Sequence, residues 1–253
     1  MNEYLKNLNR IEFVITMACT GRCKHCSEGD HENCTDHIDM DAAVKAVQKI
    51  CKHYHIESLM TFGGEALLYP ETVCAIHKMA AECGIPTRQL ITNGYFSRKA
   101  DRIEAVAGML AESGVNDLLL SVDAFHQETI PLEPVKYFAG CVSKTGIEIK
   151  LSPAWLVSRE DNNPYNVRTR EILKEFDGLN ISEGNGNVIF PSGNALKYLR
   201  DYFGDNLELS TPYDEDPRDV RAISFSANGD VLLGNIYQAD IMDIIETYRP
   251  DSR

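Results

Sequence analysis

The sequence has few of the features that are typical of nucleic-acid-binding, membrane or secreted proteins. It carries 38 acidic against 25 basic residues, a net charge of −13, and no run of Lys and Arg that could neutralise phosphates. No stretch approaches the ~18–20 apolar residues of a membrane span, and the N-terminus lacks the features of a signal peptide. We therefore expect a cytoplasmic protein without nucleic-acid or membrane partners. Its acidity would suit a basic substrate or partner, but solubility explains it better.

Disulfide bonds are not expected, because nothing in the sequence indicates an oxidising compartment. Three of the eight cysteines nevertheless lie close together, as Cys19, Cys23 and Cys26 in the segment CTGRCKHC. Thiolates are soft ligands that suit iron–sulfur clusters and zinc. Three thiolates leave one iron of a cubane cluster open, whereas a structural zinc site is normally closed by four ligands. The spacing therefore favours a cluster over zinc.

Strand-like apolar runs alternate with helix-like segments along most of the chain. The predicted strands are 11–17, 57–62, 87–92, 117–122, 147–152 and 186–190, and the predicted helices are 40–54, 71–83, 98–113, 133–145, 167–177 and 193–203. Repeated βα units indicate a parallel sheet, and five or six of them indicate a barrel or open barrel. The active site of such a fold lies at the carboxyl ends of the strands.

The C-terminal part has a different pattern. Residues 221–226 and 230–233 flank Asn228–Gly229, which predicts a β-hairpin, and a final helix is expected over 238–248. We therefore expect a barrel followed by a small hairpin–helix cap.

Polar motifs follow three of the predicted strands. Gly63–Gly64–Glu65 follows the second strand, Asn93 the third, and the segment SVDAFH, with Ser121 and Asp123, the fourth. Consecutive glycines permit a close backbone approach, and a carboxylate attracts a cationic group on a ligand. The position of these motifs, at one edge of a parallel sheet, predicts a common binding site.

Together these motifs resemble the radical S-adenosylmethionine (radical SAM) superfamily over about residues 9–155. ITNG and SVDAFH are similar to its SPASM/twitch branch. The resemblance implies an α/β fold, a partial (β/α)6 barrel, and one 4Fe–4S cluster ligated by Cys19, Cys23 and Cys26. The implied contacts to S-adenosylmethionine are those of His25, Gly63, Gly64, Glu65, Asn93, Ser121 and Asp123.

The resemblance also implies a role for each contact. His25 would pack near the adenine, and Glu65 would bind the methionyl ammonium beside the two glycines. Ser121 and Asp123 would reach the ribose or the carboxylate, and Asn93 is a further candidate for the same pocket. A flavodoxin- or ferredoxin-type protein would supply the electron that cleaves the sulfonium and starts radical chemistry on a substrate.

The sequence departs from its branch in the C-terminal part. No cysteine follows Cys141, so an auxiliary cluster is not expected. We expect residues 1–205 to form the barrel and residues 206–253 a cap, a remnant of a SPASM/twitch-like segment without cluster ligands. The early first strand predicts no preceding leader-peptide-binding domain. A peptide substrate would therefore need a separate recognition protein, and a small biosynthetic intermediate fits as well.

Two other functions remain open at this point. One is an activase that installs a glycyl radical on a partner. The other is a degenerate or zinc-bound barrel that serves as a binding or scaffold protein, with Cys34, His25 or His31 as a fourth zinc ligand. The sequence also leaves open the roles of His126, Lys150 and Cys34.

Overall fold

The computed structural model describes residues 2–31, 34–204 and 215–250. The strands are β1 (Arg10–Val14), β2 (Ser58–Phe62), β3 (Thr87–Thr92), β4 (Asp117–Leu120), β5 (Glu148–Leu151), β6 (Ala154–Trp155), β7 (Ser182–Glu183), β8 (Asn187–Val188), β9 (Ala222–Phe225), β10 (Asp230–Val231) and β11 (Gly234–Asn235). The α-helices are α1 (Met40–Cys51), α2 (Pro70–Glu82), α3 (Ala100–Glu112), α4 (Ala124–Gln127), α5 (Leu132–Val142), α6 (Pro164–Lys174), α7 (Gly193–Tyr198) and α8 (Ile241–Thr247).

Seven strands form one parallel sheet in the order β7-β5-β4-β3-β2-β1-β9. Within the described residues the two outer strands, β7 and β9, do not pair with each other, so the sheet is open. The predicted α/β fold with a partial barrel is confirmed.

The local sequence of the first helix, α1, determines both where it begins and which face it buries. Asp39 accepts a hydrogen bond from the Ala42 amide at 2.8 Å and so caps the N-terminus of α1. One face of α1 buries Ala43, Val47 and Ile50 completely. Helical periodicity therefore places the apolar face of α1 on the sheet.

The strand predicted over 186–190 is present as β8, but it does not continue the main sheet. The chain adds β7 beside β5, whereas β8 pairs with β6 in a separate two-stranded sheet. Both residues of β7 are polar and exposed, so apolar alternation gave no signal for this strand. The helix α4 was also not predicted. Its four residues are too few to show an apolar periodicity.

The predicted C-terminal hairpin was only partly right. The chain turns at Asn228–Gly229, where the Ser226 amide donates to the Asp230 carbonyl at 2.9 Å. The antiparallel ladder, however, joins β10 to β11, and β9 instead extends the main sheet beside β1. The rings of Phe13 and Phe225 stack with centroids 4.6 Å apart, and this apolar contact binds β9 to β1.

The two ends of the described chain meet. Asn2 Nδ2 donates to the carbonyls of Ile245 and Tyr248, both at 2.8 Å, at the end of α8. The boundary predicted between residues 205 and 206 lies outside the described residues, and the division into two units stays a prediction. Within those residues no helix combines the length and the apolar character needed to cross a membrane.

His77 makes the stability of the fold depend on pH. Its ring is fully buried on α2, with Nε2 2.8 Å from Thr61 Oγ1, and burial lowers the pKa of His77 to about 3. The unfolded pKa of about 6.5 is higher, so stability is retained above pH 6.5 and lost as the pH falls. We expect this histidine to account for a loss of about 2 kcal/mol between pH 7.5 and pH 5.

Urea unfolding of the cluster-free chain at several pH values measures this loss. His77→Gln should flatten the acid side of the stability curve, and His55→Gln, at an exposed histidine, should leave the slope unchanged. Parallel curves for the wild type and His77→Gln would contradict the assignment.

Candidate active site

The end of β2 packs tightly against the chain that leads into the cysteines. The Gly64 amide donates to Thr16 O at 2.7 Å, and the Glu65 amide donates to Ala18 O at 2.8 Å. A Cβ atom on Gly64 would lie 2.6 Å from Met17 O, which is too close for a side chain. The two backbones therefore approach as closely as they do because position 64 is glycine.

Glu65 lies beneath this contact and is fully buried. Its Oε1 accepts from the Leu67 amide (2.9 Å) and Thr92 Oγ1 (2.6 Å), and its Oε2 accepts from the Asn93 amide (2.8 Å). Burial raises the pKa of Glu65, and these three hydrogen bonds oppose the rise. The carboxylate thus joins the ends of β2 and β3, and its contact with a ligand ammonium stays a prediction.

The three predicted cluster cysteines lie on the loop after β1 as free thiols. Cys23 is buried, and Cys19 and Cys26 are partly buried. Burial raises the pKa of all three, that of Cys19 to about 11. A metal that binds here must therefore displace protons from the thiols.

The donor set fits a cubane cluster. The three thiols are near enough that each pair interacts electrostatically, and no other cysteine is among the main described electrostatic neighbours of any of them. Three thiolates without a fourth are the ligand set that leaves one iron open for another molecule. The residues present therefore fit a 4Fe–4S cluster with an exchangeable position.

Histidine nitrogens also lie near these sulfurs. His31 Nε2 is 3.1 Å from Cys26 Sγ. Donor atoms of Cys23, His25 and His126 lie within 4.8 Å of one another. These nitrogens would also suit zinc as ligands.

Asp123 and His126 form a buried pair at the end of β4. Asp123 is fully buried, caps α4 by accepting from the amides of Phe125 (2.9 Å) and His126 (3.0 Å), and accepts from Ala154 N at 3.0 Å. Its Oδ2 is 2.8 Å from His126 Nδ1. Burial alone would raise the pKa of Asp123, but the His126 ring holds it well below its usual range.

Pairing with Asp123 also changes the pKa of His126 and fixes the orientation of its ring. Burial lowers the pKa of His126, but the Asp123 carboxylate outweighs burial and leaves that pKa raised. With Nδ1 on Asp123, the His126 ring packs edge-on against His25, at 4.8 Å between centroids. The sequence did contain a signal for this pair, because an aspartate at the start of a helix is followed three positions later by a histidine.

The remaining predicted contacts lie at the same edge of the sheet. His25 is partly buried, and its ring lies 5.1 Å from that of Phe125; burial lowers the pKa of His25 to about 4. Asn93 Nδ2 donates to Thr20 Oγ1 at 3.2 Å and approaches Cys19 Sγ at 3.7 Å. Ser121 is partly buried at the end of β4. Their contacts with S-adenosylmethionine stay predictions.

Two residues left open by the sequence can now be placed. Lys150 Nζ lies 2.7 Å from Glu148 Oε1 and 3.5 Å from Asp117 Oδ1, so it pairs with the starts of β4 and β5, away from the carboxyl ends. Cys34 is partly buried, and its amide donates to His31 O at 3.4 Å.

A turn that the sequence did not suggest clamps the cysteine loop. The Asn194 amide donates to Cys26 O at 2.9 Å, and its Nδ2 donates to Cys23 O at 3.3 Å. Ser192 Oγ donates to Ser27 O at 3.1 Å. No local pattern links residues 192–194 to a loop more than 160 positions earlier, so tertiary structure alone reveals the clamp.

Comparison with known proteins decides the family. The family model described as the radical SAM superfamily matches residues 13–140, about half of the chain. The chain belongs to the radical SAM superfamily. Membership confirms the predicted cofactor pair, a 4Fe–4S cluster and S-adenosylmethionine.

Curated and solved relatives are distant. The chain is 24% identical over 127 residues to GTP 3′,8-cyclase of Chlorobaculum tepidum, a match that covers 50% of this chain and 36% of that protein. It thus spans about a third of this relative's length. Streptococcus suis SuiB bound to S-adenosylmethionine superposes with a TM-score of 0.61 at 14% identity, over 97% of this chain and 67% of SuiB.

The enzyme anSMEcpe with bound AdoMet and Cp18Cys peptide superposes with a TM-score of 0.59 at 15% identity, over 95% of this chain and 80% of anSMEcpe. At such identities these two structures confirm the fold alone.

The turn at residues 192–194, which clamps the cysteine loop, should tolerate no side chain at Gly193. This residue has φ +48°, and a Cβ would lie 2.7 Å from both Cys26 O and Gly29 N. We expect Gly193→Ala to destabilise the chain by roughly 1–2 kcal/mol from the backbone conformation alone, and to lower the iron bound after reconstitution.

Urea unfolding and iron analysis measure the two effects. Gly108→Ala is the matched control, because Gly108 lies in α3 with nothing near its missing Cβ. It should be neutral or slightly stabilising. Wild-type stability and iron content in Gly193→Ala would show that the clamp has no such role.

Proposed function

We propose that Cys19, Cys23 and Cys26 ligate one 4Fe–4S cluster at which S-adenosylmethionine is cleaved reductively to start radical chemistry on a substrate. The observation that carries this proposal is the group of three free thiols at the carboxyl end of β1, against the glycines that end β2. When bound, the cluster would supply the single electron that this cleavage needs, and the three cysteines would hold it.

The chain's own residues would bind and orient S-adenosylmethionine. Gly63 and Gly64 offer backbone atoms to the methionyl group, and Glu65 supplies a negative charge beside them. Ser121 and Asp123 lie at the neighbouring strand end for the ribose or the carboxylate. His25 and Asn93 would complete this pocket, near the adenine and beside Cys19 respectively.

Aromatic side chains would keep water from the pocket. The Phe125 ring is fully buried between His25 and Tyr165, and it stacks on Tyr165 with centroids 4.5 Å apart. Exclusion of water and of other hydrogen donors protects a reactive intermediate. We assign this protective role to Phe125 and Tyr165.

The substrate class is proposed only broadly, as a peptide or a small biosynthetic intermediate. Neighbours of the same fold include SuiB bound to the precursor peptide SuiA and BtrN in complex with AdoMet and 2-DOIA. A peptide substrate would be delivered by a separate recognition protein, and a flavodoxin- or ferredoxin-type donor would supply electrons. Because no cysteine follows Cys141, residues 206–253 would carry no second cluster.

Anoxic reconstitution tests the proposal. We expect about four irons and four sulfides per chain, and 5′-deoxyadenosine after addition of S-adenosylmethionine and dithionite. The Cys19/Cys23/Cys26→Ala variant should lose both the cluster and the product, because it lacks every proposed ligand.

Cys141→Ala is the matched control, since Cys141 is partly buried on α5 and outside the proposed site. It should keep the iron content and 5′-deoxyadenosine formation of the wild type. Tightly bound zinc with no cleavage would refute the proposal and favour a scaffold protein. Equal iron loss in Cys141→Ala would show that the three cysteines are not the specific ligands.

A further inference from the structure

The three cysteine sulfurs differ in their hydrogen bonds. The backbone amides of Glu28 and Gly29 lie near the sulfur of Cys26 and oppose the rise in its pKa that burial causes. His31 Nε2 lies 3.1 Å from the same sulfur, within the range for contact between nitrogen and sulfur. Among the described residues, Cys26 is therefore the cluster thiol that makes a hydrogen bond with a ring nitrogen.

The other two thiols have different surroundings. The sulfur of Cys19 accepts from the Gly21 amide at 3.4 Å, and Asn93 Nδ2 approaches it at 3.7 Å. Cys23 is buried, and its main electrostatic neighbours are Asp123 and the other two cysteines. Burial raises the pKa of both thiols, but the main charged neighbours of Cys23 are negative, whereas Cys26 also has a hydrogen-bond partner in His31.

The direction of the hydrogen bond follows from the chemistry of the sulfur. A cysteine that ligates iron is a thiolate and has no proton to donate, so a neutral imidazole can bond to it only by donating. The proton must then reside on Nε2 of His31. Nδ1 of His31 is buried and has no hydrogen-bond partner among the described residues, so Nε2 makes the ring's hydrogen bond.

We propose that His31 donates an N–H···S hydrogen bond to the cluster thiolate of Cys26 and so makes the cluster easier to reduce. This inference rests on the proposed role of Cys26 as a cluster ligand. Hydrogen bonds to cluster sulfurs draw negative charge from the thiolate, which stabilises the more negative reduced form. His31 is therefore a positioning residue that acts through Cys26 and touches no substrate.

An EPR-monitored redox titration of the anoxically reconstituted enzyme tests the proposal. A hydrogen bond to a charged group contributes roughly 1.5 kcal/mol, which corresponds to about a tenfold change in an equilibrium constant. At a fixed solution potential, His31→Leu should therefore lower the ratio of reduced to oxidised cluster about tenfold. His31→Gln keeps an N–H donor and should recover most of the wild-type ratio.

A second spectroscopic readout identifies the proton itself. In the wild type, an exchangeable proton coupled to the reduced cluster should disappear from the electron–nuclear double resonance spectrum after transfer to D₂O. His31→Leu should lack that signal. His53→Leu, at an exposed histidine outside the site, should match the wild type in both measurements.

The outcomes separate this proposal from the proposed function. A His31→Leu variant with about four irons and the wild-type titration would refute the hydrogen bond and leave the proposed function intact. Loss of the cluster from His31→Leu but not from His31→Gln supports the proposal. Loss from both variants would make His31 a metal ligand and overturn it. Failure of the wild type to bind a cluster would instead refute the proposed function.

Discussion

The buried carboxylate of Glu65 holds together the part of the molecule where the site is built. It is fully buried and accepts hydrogen bonds from Leu67, Thr92 and Asn93, so it joins the end of β2 to the end of β3. The amide of the same residue bonds to Ala18, at the start of the cysteine loop. One side chain and its backbone thus link three neighbouring segments, and an unpaired carboxylate at this depth would be very costly.

The cysteine loop is held from two sides. On one side, Gly64 brings β2 against residues 16–18. On the other, the turn at residues 192–194 holds the carbonyls of Cys23 and Cys26. A loop with few apolar side chains of its own cannot keep three thiols in place, so its geometry depends on these outside contacts. The ligand set is local in sequence, and its support comes from distant parts of the chain.

The sequence was most informative where the chemistry is local. Apolar periodicity placed the first five strands and their helices within a few residues, and the cysteine spacing with Gly-Gly-Glu led to the correct superfamily. Capping by Asp39 was also readable, because a cap depends on residues a few positions apart. Such features are set by the backbone and by close neighbours.

Features that depend on distant partners could not be predicted. The pairing of β9 with β1 joins residues more than 200 positions apart, and β7 consists of two exposed polar residues. The Asn194 clamp has no local signal. The depth of burial of Glu65 and Asp123 was also hidden, because both motifs looked like open binding loops in the sequence. Periodicity reports which face is buried, not which remote segment covers it.

The position of β9 has a consequence for how the enzyme matures in the cell. Ribosomes complete the cysteine loop early in synthesis, but β1 gains its second neighbour only after residues 222–225 have emerged, and residues 192–194 also follow late. A nascent chain therefore exposes its three thiols before the supports on either side exist. Iron delivered to the finished chain meets an organised loop, whereas iron delivered during translation meets an unsupported one. Cluster insertion is thus best suited to a step after release of the completed chain.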